Sequence, residues 1–143
     1  MKTYIPTEKD LDRKVYLVNA SGKNLGRLAS RVATLLIGKG KPFFAMDQLC
    51  GDQVIVINAK EIEVTGPSKK SKKLYTHYTG YSGGLKTITY EKLLDKKPET
   101  IITRAVNRML PKNKLGQEMR RRLRVYAGAE HQQQAQKPIP IEV

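Results

Sequence analysis

Three sets of residues in this 143-residue chain carry side chains suited to chemistry. The first is the loop Ser21–Arg27, which follows an apolar run at Val15–Asn19 and precedes a helical pattern from Leu25. Strand, glycine turn and helix is where an α/β protein holds a phosphate on a helix N-terminus. The phosphate loop needs G-x-x-x-x-G-K-[ST], but Leu17 stands where the first glycine belongs and Asn24 where the hydroxyl belongs. The dinucleotide pattern fails too, since Gly22 and Gly26 are the only glycines present. The loop reads as a tight turn whose helix start favours a phosphate of a larger polyanion. The second set is His77, His131, Cys50, Ser21 and Ser82, with neither metal-ligand spacing nor a neighbouring His–acid pair. Asp10/Asp12 and Glu61/Glu63 sit among lysines, where ion pairing explains them.

The third set is the basic residues. Lys and Arg number 27 against 13 acids, a formal charge of +14 that repels itself unless a polyanion lies opposite. Arg104, Arg108, Lys112, Lys114, Arg120, Arg121, Arg122 and Arg124 face a single acid, Glu118, in 21 residues. A merely solvated face mixes its signs; this one does not, and its arginines suit bidentate phosphate contact. A second cluster, Lys69, Lys70, Lys72, Lys73 and Lys86, surrounds Tyr75, His77, Tyr78, Tyr81 and the glycines Gly80, Gly83 and Gly84. Cations beside aromatic platforms on a flexible loop suit irregular RNA, whose unstacked bases lie on rings. Of the aromatics, His77 and Tyr78 are the contact candidates; other tyrosines of the loop are as well placed to pack inward. Lys23, Arg27, Arg31, Lys39 and Lys41 extend the basic surface around the first helix.

These clusters need a scaffold. Val15–Asn19 and Val54–Asn58 read as strands, the second apolar without a break and so buried on both faces. Between them Leu25, Leu28, Ala29, Val32 and Leu36 recur as one helical stripe, with Asn24 as N-cap and Gly38 as the stop. That is a βαβ unit with an expected right-handed crossover. Ser68–Lys86 reads as a loop, Tyr90–Leu94 as a short helix, and Pro98 to Pro111 as a longer one with Ile101, Ile102, Ala105, Val106 and Met109 inward. Leu115, Met119 and Leu123 continue a helical spacing, and Glu130–Val143 reads as an extended tail. The chain fits one domain, 1–143, with irregular tails. Apolar runs are too short to span a membrane, Met1–Asp10 lacks a signal peptide's apolar core, and the single cysteine fits a reducing compartment. No polar base-reading helix or dimerising heptad favours DNA. RNA is the expected polyanion.

The ordered motifs resemble one family over nearly the whole chain. They are Val18-Asn19-Ala20-Ser21-Gly22-Lys23-Asn24-Leu25-Gly26-Arg27-Leu28, Gly51-Asp52 before Val54–Ala59, Val64-Thr65-Gly66, His77–Tyr81, Gly83–Lys86, Ala105-Val106 through Met109–Lys112, and Leu123–His131. Together they resemble the bacterial-type large-subunit ribosomal protein thirteen family. The resemblance implies a three-layer α/β/α fold around a four-stranded, mainly parallel sheet with basic loop extensions. It implies a non-enzymatic protein in the cytoplasmic ribosome, without a cofactor, that binds 23S ribosomal RNA and supports early large-subunit assembly. The third and twentieth large-subunit proteins are the implied neighbours. Two departures stand out: Met46–Cys50 lacks the usual proline–histidine–valine–aspartate–threonine, and Ser82 replaces a common proline.

Overall fold

A computed structural model describes residues 6–7 and 10–142, so the expectation for Met1–Asp10 falls largely outside it. Val15–Asn19 (β1) and Gln53–Ile57 (β2) pair in parallel, Val18 opposite Val56, with the helix Leu25–Ile37 (α1) between them in sequence. The whole predicted stripe of α1 is buried. Asn24 caps its start by accepting from the Gly26 amide at 3.0 Å, and Gly38, at φ 80°, ends it in the left-handed region that glycine occupies without strain.

The apolar run of β2 is covered on both sides. Val54 and Val56 join the main core under α1, while Ile55, directed oppositely by the pleat, is also 0% exposed. Leu123–Val125 (β5) and Ile139–Ile141 (β6) complete a four-stranded sheet in the order β5-β2-β1-β6, every pairing parallel. With helices packed on it, this is the expected three-layer α/β arrangement. Among the described residues no helix is long and apolar enough to cross a membrane.

Two readings of the sequence are corrected here. Ser68–Lys86 is not a flexible loop: it forms Pro67–Lys72 (α2) and an antiparallel hairpin of Leu74–Tyr78 (β3) and Leu85–Thr89 (β4). Its glycines shape a tight turn, Gly80 at φ 92° and Gly83 at φ 69°, locked by Thr79 N–H to Gly84 O at 3.1 Å. Leu123 keeps the helical spacing of Leu115 and Met119, but the helix Lys114–Arg121 (α5) has ended, because the open edge of β2 captures the chain. Val54 N–H donates to Arg122 O and Tyr126 N–H to Val56 O. The tail likewise contributes β6, whose Pro140 is tolerated because the strand lies at the sheet edge.

Tyr90–Lys96 (α3) and Pro98–Met109 (α4) follow the hairpin. Tyr90, almost fully buried, donates its hydroxyl to Ile62 O at 3.1 Å and so ties α3 to the segment after β2. Ile101, Ile102 and Val106 pack α4 onto α1, whereas Met109 is 44% exposed rather than inward.

Candidate nucleic-acid interface

The side chains of α4 divide its exposed surface in two. Arg104, Asn107 and Arg108, at i, i+3 and i+4, share one face. They meet Thr76 and His77 of β3, Lys112 of the connecting loop, and Gln117 and Arg120 of α5 around a cleft of about 570 Å³. Ala105 and Met109, on the other side of the same helix, floor a second groove walled by Lys69, Lys72 and Lys73 and by the start of α1 at Asn24–Gly26. Asn24 and Thr65 carry this groove into a third, which holds Lys23 and Arg27. Met109 misled the sequence reading because its spacing is that of a core residue; its place is a groove floor between lysines.

Tyr75 is the pivot between the two sides. Its buried ring has the Lys73 ammonium 5.7 Å from its centroid and the Arg104 guanidinium at the same distance, two cation–π contacts. Burial pushes the Tyr75 hydroxyl pKa up, against the pull of Arg108 and Arg104. Lys73 is pushed down, by burial first and then by Arg108 and Lys69. Its charged form is therefore disfavoured first by burial and then by its cationic neighbours, and a phosphate opposite it favours that form. No carboxylate among the described residues pairs with it. Among the described residues the ion pairs are Lys14–Asp12, Lys41–Asp52 and Arg121–Glu118, none in the α4 clefts.

The remaining sequence-predicted residues lie elsewhere. Lys86 stands opposite His77 and Tyr78 opposite Leu85 in the hairpin register, and neither Lys86 nor Tyr78 lines one of the three grooves. Arg31, Lys39, Lys70 and Lys114 are exposed but line none of the three grooves. The contiguous arginines after Met119 diverge. Arg120 enters the cleft, Arg121 pairs with Glu118 at 2.7 Å, Arg122 donates to Gly51 O at 2.8 Å, and Arg124 is exposed on β5. The guanidinium of Arg122 is pushed down by burial and by Arg13, a cation the sequence reading passed over. Thr76, Asn107 and Gln117 were also passed over, because uncharged polar residues carry no signal in a charge count; the helical spacing Arg104, Asn107, Arg108 is the cue that finds Asn107.

Lys41 serves the fold. Its side chain is 16% exposed and donates to Asp52 Oδ1 at 2.5 Å and to Asp12 O at 2.6 Å, and Asp52 also accepts from Lys14 N–H at 2.9 Å. Removing one partner of a buried pair strands the other. Lys41→Met is therefore expected to cost about 3–5 kcal/mol in urea unfolding. Lys39→Met, exposed next door, should change stability by less than about 0.5 kcal/mol. Equal effects would show that the pair stabilises nothing.

Most backbone amides of the Ser21–Arg27 loop are spent inside the protein. Gly22 N–H donates to Glu61 O, Lys23 N–H to Ala20 O and Leu25 N–H to Glu63 O, while the Gly26 amide is held by the Asn24 cap. Ser21 directs its hydroxyl to Glu61 rather than toward a ligand. Those amides are closed internally, and Lys23 and Arg27 remain as surface cations.

The comparisons with known proteins bear on this surface. Residues 13–132 match the family model for ribosomal protein L13. The chain is 53% identical over 143 residues to the large ribosomal subunit protein uL13 of Aquifex aeolicus, covering all of this chain and 99% of that protein. It is 50% identical to the uL13 of Finegoldia magna, again over all of this chain and 99% of that protein, and 50% identical to that of Alkalilimnicola ehrlichii over the full length of both. A match of this extent, on a chain whose sheet and helices follow the expected order, makes it a member of the ribosomal protein L13 family.

Proposed function

We propose that the chain is a structural constituent of the large ribosomal subunit, which binds 23S ribosomal RNA through the grooves on both sides of α4 and supports early assembly of the subunit in the cytoplasm. Its family is one of structural proteins rather than enzymes. The third and twentieth large-subunit proteins are its proposed neighbours, and residues 1–143 are read as one domain. The observation that carries this reading is convergence: nine cations from α1, α2 and the residue after it, α4, the following loop, α5 and the turn before α1 line three adjoining grooves, and four of them ring one cleft with no carboxylate on its walls. Separate basic edges around a rigid core suit a folded RNA whose backbones approach from several directions.

Such a surface binds mainly by releasing counterions. With about six to ten phosphates engaged, affinity for large-subunit ribosomal RNA should fall about 10³–10⁵-fold between roughly 50 and 200 mM salt. Filter binding across that range reads the slope directly. An affinity independent of salt contradicts the proposal.

A further inference from the structure

The cleft between β3, α4 and α5 differs in kind from the lysine groove on the other side of α4. The lysine groove has an apolar floor of Ala105, Met109 and Val64 and offers cations above it. The cleft sets two amides, Asn107 and Gln117, among its guanidiniums. Holding phosphates requires only the cations. The amides are surplus to that task, and amide side chains are the groups that read base edges by paired donor and acceptor contacts.

A second observation points the same way. Among the described residues, three side-chain polar atoms are shut off from solvent without a hydrogen-bond partner, and two of them, Asn107 Oδ1 and Arg120 Nε, belong to residues lining this cleft. Amides outside the cleft are satisfied: Asn113 caps α5 by accepting from Gly116 N–H at 2.8 Å, and Asn58 donates to Asn19 at 3.0 Å. An acceptor and a donor left without partners in residues of one cleft together suit a ligand edge that both donates and accepts. Among the described residues the Arg120 side chain is otherwise anchored by a 3.5 Å contact from its Nη2 to Pro111 O, which leaves its guanidinium plane to be oriented by what enters. The cleft volume, about 570 Å³, lies within the range of small-ligand sites and is ample for one base.

We propose that this cleft is a base-reading subsite: it takes an unpaired nucleotide turned out of a folded RNA, with Asn107 and Gln117 on the base edge and Arg104 and Arg108 on the flanking phosphates. This rests on the RNA-binding reading and deepens it, by assigning sequence preference to a surface whose charge alone would give none. Unpaired bases in loops and bulges present the free edges that such amides engage.

The test is filter binding of Asn107→Ala, Gln117→Ala and Arg104→Gln to large-subunit ribosomal RNA and to an unrelated structured RNA of equal length, each over a salt series. Gln117 is exposed on α5, so its replacement leaves the fold intact even if Asn107→Ala proves unstable in a thermal melt. Each amide variant should lose about tenfold or more on ribosomal RNA, lose nothing on the unrelated RNA, and keep the wild-type salt slope. Arg104→Gln should weaken both RNAs and lower the slope by about 1. Amide variants that bind ribosomal RNA like wild type, or that lose equally on both RNAs, overturn the subsite while leaving the phosphate-holding surface standing. A wild-type chain that binds neither RNA overturns the RNA reading itself, and the subsite with it.

Discussion

Replacing Arg104 and Arg108 together by glutamine is expected to weaken binding to large-subunit ribosomal RNA about 10²-fold at moderate salt while leaving the protein folded, its thermal unfolding midpoint lower by only a few degrees. Both side chains project from the exposed side of α4 into the same cleft, and the helix is held to the core by Ile101, Ile102 and Val106 on its opposite side. Neither arginine has a carboxylate partner among the described residues, so neutralising them breaks no ion pair. A charge-assisted hydrogen bond contributes about 1.5–3 kcal/mol, and two at the lower figure give about 3 kcal/mol, the stated factor. The salt slope should also fall by about 2, one unit for each phosphate released. The Arg104 guanidinium lies over the buried Tyr75 ring, a contact of about 0.5–2 kcal/mol, so the melt should fall by a few degrees from that source. Affinity like that of wild type would remove the cleft from the binding surface.

Gly51→Ala is expected to unfold most of the protein at temperatures the wild type withstands. A Cβ at this position would stand 1.7 Å from the Leu36 carbonyl oxygen and 2.4 Å from its carbon. Those atoms belong to the last turn of α1, whose buried stripe packs the sheet, so no flexible side chain is available to yield. The strain reaches further. Asp52 N–H donates to Leu35 O, and Asp52 holds Lys41, so displacing Gly51 also loosens the buried ion pair and the start of β2. Overpacking costs about 1–3 kcal/mol when side chains can adjust, and a backbone clash puts this substitution at the top of that range or above it. For a domain of this size about 3 kcal/mol corresponds to roughly 6–12 °C in unfolding midpoint. A melt within a degree or two of wild type would contradict the close approach of β2 and α1.

The βαβ frame was legible because each of its elements announces itself locally. The stripe Leu25, Leu28, Ala29, Val32, Leu36 has one period, its caps are Asn24 and Gly38, and the run Val54–Ile57 has no polar break. The outer strands were not legible for the opposite reason. β5 is three residues long and continues a helical spacing, and β6 contains a proline that argues against a strand except at an edge. Both are decided by the open edges of β2 and β1, which local pattern cannot reveal. The hairpin was hidden by its composition: glycines that suggested flexibility are fixed at positive φ in a turn.

The basic surface was legible in amount and only partly in place. Charge counting gathered Arg120, Arg121, Arg122 and Arg124 as one patch, yet adjacent residues on a short helix and the strand after it point in different directions, and only Arg120 reaches the cleft. Conversely, His77 is far in sequence from Arg104 and Lys112, yet all three line the same opening. Lys41 counted as a surface cation but is held by Asp52, a tertiary contact between a loop lysine and the residue before β2. What the fold adds to the charge is direction: α4 separates a lysine groove from an arginine cleft.

The most direct test of the central claim is sedimentation of the tagged chain in a cell lysate through a sucrose gradient at low salt. The account predicts that the wild-type chain travels with the large ribosomal subunit and is stripped from it by high salt, whereas the Arg104→Gln/Arg108→Gln chain, folded by circular dichroism, shifts toward the top of the gradient. A wild-type chain that remains at the top, away from large-subunit particles, would contradict it.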